Sequence, residues 1–199
     1  RQRRLMQPAF HHRQIAHYAD IMSDYLFALA ESWRPGQVLS VHDEMHEVAL
    51  ALIGKTLFSS DLGAEAVAEV KRSIPIVRDG VTRRTLSPVE LLEKLPTPGN
   101  RRFAEAIVRI RRVIDEVIQE YRADGVDRGD LLSMLIQSRD QETGESMTDE
   151  QVSDEVVTVM LAGSETTANT MAWAFYQLGQ HPEIADRVAA EARRVLGGA

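Results

Sequence analysis

The sequence predicts an all-α protein. Apolar residues recur at i, i+3, i+4 through nearly every segment, strand signals are almost absent, and one uninterrupted helical pattern runs from about 149 to 180. Residues 11–33 place Ile15, Tyr18, Ala19, Met22, Leu26 and Leu29 on one face, and Arg34-Pro35-Gly36 stops that run. After a short extended piece at 37–40, a second helix spans about 42–58, with Met45, Val48, Ala49, Leu52 and Ile53 aligned. A third covers roughly 63–83, where Pro75 is expected to kink or split it because proline lacks the amide donor and crowds the preceding turn. "SPVELLEKLPTPGN" is irregular chain, since three prolines and a glycine fall in a short run. Helices over about 99–123 and 129–138 follow, then the polar turn "RDQETGESMTDE".

Thr148 and Gln151 form a capping-box pattern that opens the long helix, about 48 Å at 1.5 Å per residue. Pro182 ends it and starts a last helix, 182–196, closed by Gly197-Gly198. The expected architecture is this long central helix packed among seven or so others, in one incomplete domain over 1–199. Opening on "RQRRLM" and stopping at "VLGGA", the chain reads as a piece cut from both ends of a longer protein.

Composition narrows the function. With 44% hydrophobic and 27% charged residues, the 199-residue chain has the balance of a folded soluble protein. A net charge of −7 disfavours nucleic acid or a basic membrane-surface role. No apolar run reaches the roughly 18 residues of a membrane span. With no cysteine and no secretory signal, a cytoplasmic setting is expected.

The long helix carries an anomaly. "LAGSETTANT", 161–170, sets a glycine, a serine, a carboxylate and threonines between the apolar "VVTVM" and "MAWAFYQL". An unpartnered buried polar group costs about 1–3 kcal/mol, and an interior glycine about 1 kcal/mol relative to alanine. At about 100° per residue, Ala162, Gly163, Thr166 and Thr170 share one side, so something flat can lie against the small residues there. Glu165 stands adjacent but off that side. An acid beside an alcohol suits proton delivery. The plain alternative is that Gly163 permits close helix contact while the threonines bond back to carbonyls one turn earlier.

These residues resemble the central-helix signature of the cytochromes P-450, A/G-G-x-D/E-T-T, matched at Ala162, Gly163, Glu165, Thr166 and Thr167. "RRLMQPAF", 3–10, resembles the family's R-x-x-x-x-P-x-F segment, and "HPEIADRVAAEARRVL", 181–196, is similar to the helix after the central one. The resemblance covers essentially the whole chain, from the family's third helix to its tenth. It implies a heme-thiolate monooxygenase of bacterial soluble type, with heme b as cofactor, O2 as oxidant and a ferredoxin- or flavodoxin-type electron donor. Its substrate would be a small hydrophobic molecule, terpenoid, fatty-acid or polyketide-like. Thr166 and Glu165 would then be catalytic, supporting O–O cleavage. Ala162, Gly163, Thr166 and Thr167 would lie against the heme, Arg3 would pair with a propionate, and Phe10 would stand near the heme edge. Ile76, Val77, Val81, Val159 and Ala162 are the candidate substrate walls.

The sequence also departs from that family. The thiolate ligand that pushes electron density onto the iron is a cysteine, and the chain has none. The E-x-x-R pair is missing too, so the piece alone is expected to be inactive. A helical ligand-binding or regulatory module, or a heme-free relative, are the rival expectations. His42 and His46 lie four apart, but Asp43 stands where the zinc-protease pattern needs glutamate, so no metal site is expected. "RRFAEAIVRIRR" reads as a solvated, ion-paired face with Glu105, Asp115 and Glu116 at pairing distances, not a nucleic-acid site.

Overall fold

A computed structural model of the chain describes residues 5–58, 63–86, 95–140 and 143–197. Behind a 3-10 turn, Gln7–Phe10, come α1 (His12–Ser32), α2 (Val41–Leu57), α3 (Gly63–Thr85) and α4 (Pro98–Asp124). They are followed by α5 (Leu131–Gln137), α6 (Asp149–Gln180) and α7 (Pro182–Leu196). Among the described residues the extended pairing consists of one bridge, Arg139 with Ser146, inside the polar turn before α6. None of the described helices is long and apolar enough to cross a membrane.

The helix ends lie where side chains can satisfy the free amides of a first turn. Ser40, Thr97, Asp130 and Thr148 each accept from the backbone N–H three residues on. At Thr148 the box is reciprocal, the Gln151 side chain accepting from the Thr148 amide at 3.1 Å. Gly125 and Gly197, at φ 63 and 76, close α4 and α7 in the left-handed conformation that glycine adopts without strain. Of the kink or split expected at Pro75, the split does not occur: α3 runs through it as one helix. Pro75 itself is exposed, where water can hydrate the carbonyl that loses its amide partner, while Ile74 and Val77 beside it are buried.

The main core joins α3, α4, α5 and the first half of α6. Val77, Ile110, Ile114, Ile118, Leu132, Leu135, Val152 and Val156 are all fully buried in it. Side chains of this kind contribute about 1.5–3 kcal/mol each on burial, the largest favourable contribution available to a chain without disulfides. A smaller cluster of Met45, Val48 and Leu52 on α2 meets Met22, Tyr25, Leu29 and Trp33 from α1 and its end, and Met171 of α6. The most extensive helix contact is α2 against α6, followed by α3 against α4. Burial along α6 ends at Ala168; beyond it Trp173, Phe175 and Tyr176 are exposed.

Polar groups support this packing. Tyr121 Oη donates to Asp130 Oδ2 at 2.6 Å in the interior, and the Arg128 guanidinium lies 4.0 Å from the Tyr121 ring centre. Four arginines of α4 are ion-paired. Arg109 reaches Glu69 at 2.8 Å, Arg112 reaches Glu116 at 3.0 Å, Arg122 reaches Asp149 at 2.7 Å, and Arg111 pairs with Asp154. The last two tie α4 to the start of α6.

Two helical glycines make opposite predictions. A Cβ on Gly80 would come 2.0 Å from Phe103 Cδ2 on α4, whereas Gly54 has nothing within 4 Å of such an atom. Gly80→Ala is expected to lower stability by about 1–3 kcal/mol through overpacking. Gly54→Ala should raise it by up to about 1 kcal/mol through helix propensity. Urea midpoints of the two variants check the opposite signs.

Candidate functional site

The site is built on the middle of α6, where burial gives way to exposure. Val156, Met160, Ser164 and Ala168 face the interior, while Ala162, Thr166, Thr167 and Thr170 are exposed. With Ala162, Thr166 and Thr170 at four-residue spacing, the uncovered side is a row of side chains no larger than threonine.

The hydroxyls in this region point back along the helix. Ser164 Oγ donates to Met160 O at 2.6 Å, Thr166 Oγ1 to Ala162 O at 2.6 Å and Thr170 Oγ1 to Thr166 O at 2.8 Å. A carbonyl oxygen only accepts, so the hydrogen of Thr166 is engaged with Ala162 and its remaining lone pairs are left to accept from something on the open row. Back-bonding of this kind loads three carbonyls with a second donor, which slightly loosens the local ladder.

Gly163 does not belong to the open row. A Cβ there would stand 2.9 Å from Ile53 Cδ1, so Gly163 lies at the contact with α2. The sequence grouping of four residues on one side is therefore divided: Ala162, Thr166 and Thr170 are open, and Gly163 is at the helix contact.

Glu165 points away from the row into a polar cluster that sequence reasoning did not assemble. Its Oε1 accepts from Asn169 Nδ2 at 2.9 Å. Its Oε2 lies 3.6 Å from His46 Nε2 on α2 and 3.7 Å from Arg78 Nη1 on α3. Asn169 at i+4 was legible as a helical neighbour. His46 and Arg78 were not, because nothing in the local pattern says which faces of α2 and α3 meet α6. The His42 and His46 rings lie 4.2 Å apart, tilted by 36°, and His46 turns toward Glu165.

The candidate substrate walls separate. Val77 is fully buried in the main core and presents no surface to a ligand, which corrects that assignment; it was indistinguishable from a core valine by spacing. Ile76 lines a groove between α3 and α4 with Asp79, Thr82, Arg83, Gly99 and Arg102, away from the α6 row. Val81 is 47% exposed, and Val159 is partly buried against the core. Phe10 ends the 3-10 turn, half-exposed. Arg3, and most of the Pro-rich segment, lie outside the described residues.

The residues present fit a flat cofactor: small exposed side chains at 162, 166 and 170 leave the helix backbone approachable from one side, with a hydroxyl acceptor and an acid at hand. The known proteins most informative here agree along the whole chain. The sequence model of the Cytochrome P450 family matches residues 1–199. Cyclooctat-9-en-7-ol 5-monooxygenase of Streptomyces melanosporofaciens is 45% identical over 197 residues, covering 99% of this chain and 43% of that protein. Pentalenene oxygenase of Streptomyces avermitilis is 38% identical over 198 residues, covering 100% of this chain and 44% of that protein. Among solved structures, the heme domain of cytochrome P450DA superposes with a TM-score of 0.81 at 29% identity, covering 98% of this chain and 43% of that one. The chain thus spans less than half the length of these relatives. Its signature on α6, its helix order and these similarities agree: the chain belongs to the cytochrome P450 family.

Proposed function

We propose that these residues form the oxygen-side half of a heme-dependent monooxygenase that inserts one atom of O2 into a small hydrophobic terpenoid. Electrons would come from a ferredoxin- or flavodoxin-type partner, in the cytoplasm. The observation that carries this is the open row Ala162–Thr166–Thr170 beside a carboxylate, on the helix that bears the family signature. The terpenoid class follows two relatives, one named for oxygenating cyclooctat-9-en-7-ol and the other for oxygenating pentalenene. Among the substrate classes that suit the family, these names favour this one.

Heme, when bound, supplies the redox chemistry that splits O2; the chain's own residues supply shape and protons. Ala162 keeps the helix surface low where the macrocycle and substrate lie, and Thr167 borders the same surface. Arg3 would pair with a propionate and Phe10 would cover an edge. No cysteine is present among the 199 residues, so the iron's thiolate comes from elsewhere in the protein, and this portion alone is inactive. Thr166 holds a water or an oxygen-borne hydrogen at its free lone pairs, because its own hydrogen is engaged with Ala162 O. Glu165 is the proton source. Its carboxylate is anchored toward α2 and α3, so delivery to the row requires the side chain to swing or a water to bridge. Val81 and Val159 remain the candidate walls, with Ala162 at the reacting end.

Three measurements on the full-length protein test this. Reduced under carbon monoxide, it should show the strongly red-shifted Soret band of thiolate-bound heme; a band at the position of histidine-ligated proteins would sink the assignment. Thr166→Ala should keep heme and substrate binding but lose proton control, diverting most reducing equivalents into peroxide and water. Product formed per reductant consumed is the readout, and full coupling would remove Thr166 from the mechanism. Arg3→Ala should lower heme occupancy after purification, through loss of a charge-assisted pair worth about 1.5–3 kcal/mol.

A further inference from the structure

His46 Nδ1 lies 2.8 Å from the carbonyl oxygen of His42. A carbonyl only accepts, so Nδ1 carries a hydrogen. In the neutral ring Nε2 is then a bare lone pair. That atom is closed off from water and makes no hydrogen bond, yet Glu165 Oε2 faces it at 3.6 Å. Two lone pairs in that position repel, whereas one hydrogen placed between them makes the contact charge-assisted and attractive.

From this geometry we propose that His46 is the proton relay that loads Glu165, the two side chains sharing one proton between Nε2 and Oε2. The proposal rests on the oxygenase assignment above. Arg78, the other cation at Oε2, is a fixed charge that releases no proton. Histidine is the side chain suited to bind and release a proton near neutral pH. Other charged groups lie around the relay. Arg78 also donates to Asp79, His42 lies 3.3 Å from Asp43, Lys71 of α3 lies 3.4 Å from Glu47 of α2, and on α1 Tyr25 is within electrostatic reach of Glu47 and Glu44.

The transfer balances within the pair. The Nε2–H bond of His46 breaks and an O–H bond forms at Oε2, leaving a neutral ring with its hydrogen on Nδ1 and a neutral carboxylic acid. When that acid turns toward the Ala162–Thr166 row and gives up its proton, Nε2 is uncovered and takes a proton from solvent. The returning carboxylate closes the site again, and consumption of the proton at the row draws the next one inward.

Ring 15N spectra of the chain and turnover of the heme-loaded full-length protein test this together. In the neutral ring of His46 the hydrogen should reside on Nδ1. His46→Phe should retain wild-type heme content and substrate-induced spectral change. Its product formation should fall roughly tenfold, with a larger solvent deuterium isotope effect and an altered pH profile. A neutral-ring hydrogen on Nε2 overturns the relay even if the variant fails to fold. So does a His46→Phe enzyme with unchanged turnover and isotope effect beside an active wild type. A wild-type protein that holds no heme and oxygenates nothing instead overturns the oxygenase assignment, and the relay with it.

Discussion

The close approach of α2 to α6 is the constraint on which the rest of the site depends. It is made possible at Gly163, where a side chain would run into Ile53, and it sets how far Glu165 stands from His46. Helix packing distances follow the side chains at the contact, so a glycine there lets two backbones come nearer than a larger residue allows. The main core fixes the other end of α6 through Val152 and Val156, and the ion pairs of Arg111 and Arg122 hold its first turns to α4. With one side of α6 fixed in this way, the opposite side is left as the uncovered row.

Polar residues inside an apolar helix need partners, and α6 finds them in two ways. Thr166 and Thr170 satisfy their hydroxyls on carbonyls one turn back, which needs no other element and leaves their side of the helix open. Its carboxylate instead reaches Asn169, His46 and Arg78, on three different helices counting its own. The first solution is local and the second is tertiary. Thr166 is therefore in place as soon as the helix forms, whereas Glu165 is positioned only once α2 and α3 have docked.

The same division explains what was legible in the sequence. The bounds of α6 and α7 were readable to the residue because their signals are local: a Thr148/Gln151 box, a proline at 182, a glycine at 197. At Pro75 the local penalty does not split the helix, because it is outweighed by the apolar face of α3, whose Val70, Ile74 and Val77 pack into the main core. The acid and alcohol of the site were legible by type and spacing. The partners of the acid were not, since His46 and Arg78 lie far from Glu165 along the chain and join it only through helix packing. Val77 failed as a pocket residue for a related reason: a valine at helical spacing looks the same from sequence whether it faces a ligand or a neighbouring helix.

Gly163 links two features of the structure: how closely α2 approaches α6 and how far His46 stands from Glu165. A methyl group at that position must displace the end of Ile53 or move α6 outward, and outward movement lengthens the contact between His46 and Glu165. A substitution with no polar atom of its own would thus act on the acid chemistry through distance alone. A designer who substitutes position 163 therefore acts on Ile53, His46 and Glu165 together.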